Sequence, residues 1–178
     1  MEKEEEKKYV ILVDEDDQPK GVMEKQEAHE KGVLHRAFSV FIFNPAGELL
    51  IQKRAINKYH SGGLWANTCC SHPSPGESTP EAAKKRLEEE MGIITSLQFA
   101  FSFIYNEPLK NGLREHELDH VFTGIFGGDP VINRGEVMDY QWKNTSELLQ
   151  EIDRSPGEYA VWFRLCLARL LEFRGENR

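Results

Sequence analysis

Cys70 and His72 stand two residues apart at the head of the segment 67–92, NTCCSHPSPGESTPEAAKKRLEEEMG. In an extended segment that spacing puts the thiol and the imidazole on one face, with Cys69 on the other. Pro73, Pro75 and Gly76 then break the strand. Ser78 or Thr79 is placed to cap a helix with Pro80 at its first position and Glu81 in its first turn, and Gly92 closes it. Within that helix Arg86 and Glu90 lie one turn apart, while Ala83, Leu87 and Met91 form an apolar stripe suited to packing on a sheet. A thiol, an imidazole and a carboxylate-rich helix in close sequence point to acid/base chemistry beside a metal. A buried cysteine and an ordinary solvated helix face would leave the same short signature, so the other donors of the chain decide between the two.

Five such donors recur where strands begin or face one another: His29, His35, His72, Glu115 and Glu117. Three imidazoles and two carboxylates suit zinc, manganese or iron at a higher coordination number than a structural zinc site uses. Without convergence, some would be surface histidines and the carboxylates would pair with Arg114 or Lys110. His60, His116 and His120 are assigned no chemistry and are read as surface or structural residues.

The elements that must carry these groups follow from periodicity and turn residues. After a charged tail over 1–8, Tyr9–Val13 predicts a strand that turns through Asp14–Gly21 into Val22 and Met23. Lys25–Lys31 predicts a helical turn bearing His29, and His35 stands at the mouth of a central strand, Ala37–Asn44, paired as a hairpin with Leu49–Arg54. A polar loop, Arg54–Gly63, carries Lys58 and leads to Trp65. Leu97, Phe99, Phe101, Phe103 and Tyr105 alternate along a long strand and predict one continuous core face. After a turn at Pro108–Gly112, Glu115–Phe126 predicts a strand with Glu115 and Glu117 on one face and His116 opposite. Val137–Lys143 predicts a further strand, Thr145 or Ser146 caps a helix through Ile152, and a last helix runs from Glu158 to Phe173. The order of elements predicts an α+β chain, an α/β sandwich with a mixed sheet flanked by helices, in one domain over 9–178.

At 178 residues the chain is long enough to bury a substantial core by itself. Thirty acidic residues against 22 basic, a net charge of −8, exclude a general nucleic-acid surface and binding to anionic membranes, so an anionic ligand needs a local basic cluster. There is no apolar run of membrane-spanning length, and the opening MEKEEEKK lacks the hydrophobic centre of a signal peptide, which predicts a cytoplasmic protein. Three cysteines, two of them adjacent, do not make a disulfide framework and fit a reducing compartment.

Trp65–Pro73, WANTCCSHP, the Glu115-His116-Glu117 triplet ten residues after Tyr105, and the His29 and His35 pair together closely resemble the type 1 isopentenyl-diphosphate isomerase family of the Nudix superfamily, over Lys25 to Trp162. The Nudix pattern of Gly, five residues, Glu, seven residues, Arg-Glu-x-x-Glu-Glu-x-Gly falls on Ser71, Glu77, Lys85, Arg86, Glu89, Glu90 and Gly92. Ser71 replaces the first glycine and Lys85-Arg86 replaces Arg-Glu, so one of the carboxylates that hold hydrolytic metals is missing. The resemblance implies a Nudix fold and the isomerisation of isopentenyl diphosphate to dimethylallyl diphosphate through a tertiary carbocation. Cys70 would stand on one face of the alkene and Glu117 on the other, with Tyr105 near the same proton path; which of the two gives the first proton is left open. Trp162 would turn its π face to the cation, and Lys25, Arg54, Lys58 and Arg86 would bind the diphosphate. The implied metals are one transition ion, zinc or manganese, at His29, His35, His72, Glu115 and Glu117, and a magnesium arriving with the diphosphate, held by Glu90 and the Cys70 carbonyl. The partner is then a small molecule, neither nucleic acid nor membrane, and the protein a monomer or weak homodimer. A Nudix diphosphate hydrolase and a metal-dependent binding module without chemistry are the rival readings.

Overall fold

A computed structural model of the chain describes residues 8–175, so the expected charged tail lies outside the described residues except for Lys8, as do residues 176–178. The elements run β1 (Tyr9–Val13), β2 (Pro19–Glu24), α1 (Lys25–Lys31), β3 (His35–Phe43), β4 (Leu49–Arg54), β5 (Trp65–Ala66), β6 (Cys69–Ser71), α2 (Thr79–Met91), β7 (Gln98–Pro108), β8 (Arg114–Ile125), β9 (Val137–Lys143), α3 (Thr145–Arg154) and α4 (Val161–Arg174). The strands form a mixed sheet around β3, which pairs in parallel with β8 and antiparallel with β1, β4 and β6. β7 extends the sheet beyond β8, and β9 pairs with β4.

Both faces of β3 are buried, which is why its run of aromatic and β-branched residues is nearly continuous. Phe38, Val40 and Ile42 face α2 and pack with Ala82, Ala83, Leu87 and Met91. Phe41 and Phe43 point the other way, into a core with Phe163, Cys166, Leu167 and Leu170 of α4 and Leu148 and Ile152 of α3. The sheet is therefore a filling between α2 and the α3/α4 pair, as the α+β pattern predicts.

α2 starts where Ser78, in extended conformation, accepts a hydrogen bond from Glu81 N at 3.4 Å through its Oγ, leaving Thr79 inside the helix. It ends at Gly92, whose φ of 63° is left-handed and whose missing Cβ would lie 2.7 Å from the Val131 carbonyl oxygen. Only glycine meets both conditions.

Three local expectations are corrected. The cap of α3 is Asn144, whose Oδ1 accepts from Ser146 N at 2.9 Å and Glu147 N at 3.3 Å; Thr145 and Ser146 are the first helical residues instead. α4 begins at Val161 and not at Glu158, because Ala160 N donates to Trp65 O at 2.9 Å and holds the chain extended after a 3₁₀ turn over Pro156–Glu158. The alternating aromatic face of β7 is interrupted by a bulge between Phe99 and Phe101. Phe101, Phe103 and Tyr105 keep one face toward α4, whereas Phe99 is turned over beside Phe122 and is 57% exposed, and Leu97 packs on the α2 side.

Leu87, 1% exposed between α2 and the sheet, measures how firmly the helix is docked. Leu87→Ala is expected to lower unfolding free energy by about 2–5 kcal/mol in denaturant titrations, the range for an apolar cavity in a packed core.

Candidate active site and metal centre

Strand register assembles the site. The parallel pairing of β3 with β8 sets His35 directly beside Glu117, and the antiparallel pairing of β7 with β8 sets Tyr105 on the other side of Glu117 and Glu107 beside Glu115. β6 lies along β3 with Cys70 next to Ser39. His29 comes from α1 and His72 from the residue after β6, so five elements meet at one end of the sheet.

His29 and His35 are fully buried. Their Nδ1 atoms lie 2.6 Å from the Lys25 carbonyl and 2.8 Å from the Val33 carbonyl. A carbonyl can only accept, so the proton sits on Nδ1 and each Nε2 lone pair turns inward. Those two Nε2 atoms and Glu115 Oε2 have no hydrogen-bond partner. Leaving a buried polar atom unsatisfied costs about 1–3 kcal/mol, and three orphaned acceptors converging on one point fit a cation. The donor atoms of His29, His35, His72 and Glu117 lie within 4.8 Å of one another, and so do those of His29, His60 and Glu115. Nitrogen and carboxylate donors in this mixture suit zinc, manganese or iron.

Glu117 looks two ways. Its Oε1 is 2.8 Å from His72 Nε2 and 3.4 Å from His35 Nε2, while its Oε2 accepts the Tyr105 hydroxyl at 2.6 Å. Burial alone would raise its pKa, but the His35 and His72 imidazoles beside it outweigh burial and hold Glu117 below the usual carboxylate range. Burial and the charge of Glu117 push Glu115 up. Burial pushes His72 down to about 4 and His60 down to about 3, so both rings are neutral at physiological pH, the form that ligates metals.

Cys70 shares the cavity with His72, whereas Cys69 points into the α2 core with no exposure. Burial pushes the Cys70 thiol up to about 12, against the pull of the Arg54 guanidinium, whose Nη1 is 3.9 Å from the sulfur. Lys25, Arg54, Lys58 and Arg86 line the same cavity, of about 110 Å³, with Tyr105, Glu115, Glu117 and Trp162. Trp162, in the first turn of α4, donates from Nε1 to Asn67 Oδ1 at 3.2 Å, and its ring lies 5.0 Å from the Arg54 guanidinium carbon.

Glu90 does not line the cavity. It is 3% exposed behind it, 2.5 Å from Arg86 Nη2 and accepting from Gln52 Nε2 at 2.8 Å. Glu136 accepts from both Lys58 and Arg86, so two of the expected diphosphate-binding cations already share a carboxylate. Arg114, the alternative partner for the β8 carboxylates, is bonded to Asn106 Oδ1 instead.

His116 lies 2.8 Å from Gly32 O and His120 2.9 Å from Asp17 Oδ2, both away from the cavity, in keeping with their structural reading. His60 is a correction. Read as a surface or structural residue, it lines the cavity, with Nε2 3.3 Å from Glu115 Oε1 and its ring edge-on to Trp162 at 5.5 Å. Its loop has no periodicity to reveal a face; the one signal was Gly62-Gly63, which marks a tightly folded loop. A Cβ on Gly62 would lie 2.4 Å from the Ile56 carbonyl oxygen.

Among the described residues no helix is long and apolar enough to cross a membrane, and the three cysteines are free. The Nudix domain family matches residues 33–165. The chain is 52% identical over 164 residues to an isopentenyl-diphosphate Delta-isomerase of Pectobacterium atrosepticum, covering 92% of each chain, and 50% identical over 169 residues to isopentenyl-diphosphate Delta-isomerase 1 of Aromatoleum aromaticum, covering 95% of this chain and 96% of that one. Among solved structures, a Deinococcus radiodurans protein superposes with a TM-score of 0.70 at 22% identity, covering 85% of this chain and 91% of that one. A MutT protein from Methanosarcina mazei superposes with a TM-score of 0.64 at 23% identity, covering 82% and 96%. These two likenesses establish the fold, and the high identity across nearly whole chains is to the isomerases. The chain belongs to the Nudix superfamily and, within it, to the isopentenyl-diphosphate Delta-isomerase family.

Proposed function

We propose that this enzyme converts isopentenyl diphosphate to dimethylallyl diphosphate by adding a proton to the alkene and removing another from the neighbouring carbon, through a tertiary carbocation. The observation that carries the reading is one small cavity with Cys70 and the Glu117–Tyr105 pair in its wall and Lys25, Arg54, Lys58 and Arg86 around it. The four cations would bind the diphosphate and fix the five-carbon group within reach of both proton-transfer groups. Because the isomerisation runs in both directions, the group that donates in one direction accepts in the other. Cys70 and Glu117 therefore each need a proton and a site to receive one. Tyr105 completes this on the Glu117 side, its hydroxyl bonded to the oxygen that turns away from the imidazoles. Trp162 would present its ring to the positive charge on carbon, an interaction worth about 2 kcal/mol when desolvated.

A divalent transition ion held by His29, His35, His72, Glu115 and Glu117 would supply a fixed positive charge that sets the protonation of Glu117. A magnesium ion accompanying the diphosphate would be held by the Cys70 carbonyl and by Glu90, which would have to exchange its present contact with Arg86 for the ion, and zinc and manganese both suit the donor types of the histidine centre. Hydrolysis is disfavoured by Arg86. It sits at a position the superfamily reserves for a carboxylate, so the helix has one metal-binding carboxylate fewer and in its place a cation bound to Glu89, Glu90 and Glu136. The net charge of −8 and the free cysteines support action in the cytoplasm on a small molecule, away from nucleic acid and membrane; the assembly proposed is a monomer or weak homodimer.

Incubated with isopentenyl diphosphate and magnesium in deuterated water, the enzyme is expected to yield dimethylallyl diphosphate carrying deuterium in a methyl group, with negligible phosphate release. Phosphate or pyrophosphate without deuterium incorporation, read by NMR, would move it to the hydrolases. Trp162→Ala should slow turnover by about 30-fold, the equivalent of about 2 kcal/mol, while diphosphate binding changes much less.

Cys70→Ala is expected to lose at least about 100-fold in kcat with unchanged circular dichroism, and Cys69→Ala to keep most activity. Equal losses would defeat the assignment by strand face. Purified protein should carry about one transition ion per chain by elemental analysis; activity that survives stripping of that ion in excess magnesium would remove the histidine centre from the mechanism.

A further inference from the structure

We infer that His60 is a sixth donor to the ion of the histidine centre, closing its coordination sphere with protein atoms. Its Nε2 lies 3.3 Å from Glu115 Oε1, and the donor atoms of His29, His60 and Glu115 fall within 4.8 Å of one another. His29 belongs equally to the group with His35, His72 and Glu117. It has one free ring nitrogen, because its Nδ1 is bonded to the Lys25 carbonyl. One imidazole nitrogen binds one ion, so the two donor groups that share His29 cannot each hold an ion through it, and a single ion there would draw on both. That centre has four imidazoles and two carboxylates.

The loop is built to hold the ring there. Its ends are tied by Arg54 N to Leu64 O at 2.9 Å and Gly63 N to Arg54 O at 3.0 Å. Arg54 Nη2 donates to the His60 carbonyl at 3.3 Å, and Gly62 closes onto the Ile56 carbonyl where no side chain would fit. Ser61, left-handed at φ 53°, makes the turn, and its Oγ, 3.3 Å from His60 Nδ1, can accept the Nδ1 proton, which leaves the Nε2 lone pair for an ion. The imidazole is 15% exposed, so little water reaches it.

A catalytic metal that activates water keeps a position open for it. Six protein donors leave none, so the ion would act through the field it sets up at Glu117 and would bring no activated water beside a carbocation. This inference rests on the reading that the cluster holds a divalent ion, and the experiment separates the two. Protein labelled with nitrogen-15 histidine and loaded with cadmium-113 shows a one-bond coupling at each ligated imidazole nitrogen. Four coupled histidines are expected in the native protein and three in His60→Gln, with cadmium affinity at least about 10-fold weaker by chelator competition. Three coupled histidines in the native protein would overturn the role of His60 and leave the centre standing. Failure to bind cadmium at all would overturn the centre itself.

Discussion

The parallel pairing of β3 with β8 is the constraint on which the rest depends. It places His35 beside Glu117 and carries through to Phe43 beside Ile125, so the register that seats the site is the one that packs the core. Glu115, Glu117, Asp119 and Val121 share a face of β8; slipping the strand by one residue would turn all four away and bring Leu118 and Phe122 into their place. Apolar packing at the far end, where Val121 meets the α4 core and Phe122 the α2 core, thus protects a polar arrangement that could not hold itself together.

That polar arrangement is dense. Among the described residues, Glu115, Glu117 and Asp119 are all under 8% exposed, within a few residues of one another on one strand. Each has a different answer to burial. Glu117 takes hydrogen bonds from Tyr105 and from imidazole, Glu115 faces two histidines, and Asp119 takes one bond from Ser39 Oγ at 2.8 Å while burial pushes its pKa up to about 8. On the diphosphate side the same logic appears with signs reversed: burial pulls the Lys58 pKa down against the opposing charge of Glu90, and Glu90 and Glu136 both contact Lys58 and Arg86 in the cavity wall. An acidic chain can therefore present a basic pocket, because the acidic partners lie behind the cations.

Much of this was legible in the residues. Two-residue spacing separated Cys70 from Cys69 and put Glu115 with Glu117, since a strand alternates strictly wherever no residue is inserted as a bulge. Ser78, Pro80 and Gly92 marked α2 because capping is local chemistry. What escaped depended on distant contacts or on a single inserted residue. The Ala100 bulge ended the predicted aromatic face of β7, and the bond from Ala160 to Trp65 postponed α4 by three residues beyond the predicted start. Asn144 was passed over for its neighbours although it is as good a cap. His60 escaped because an irregular loop has no face to read.

The Ser39–Asp119 contact spans 80 residues, and the β3–β8 ladder around it joins the first third of the chain to the last. Closing so long a loop costs entropy before any contact repays it, and chains dominated by such pairings fold slowly. His29, His35 and His72 are therefore synthesised well before the strand that gathers them. Until β8 docks, the centre lacks both of its carboxylates, and a chain truncated before Glu115 would keep imidazole donors alone, with no negative charge to hold a divalent ion.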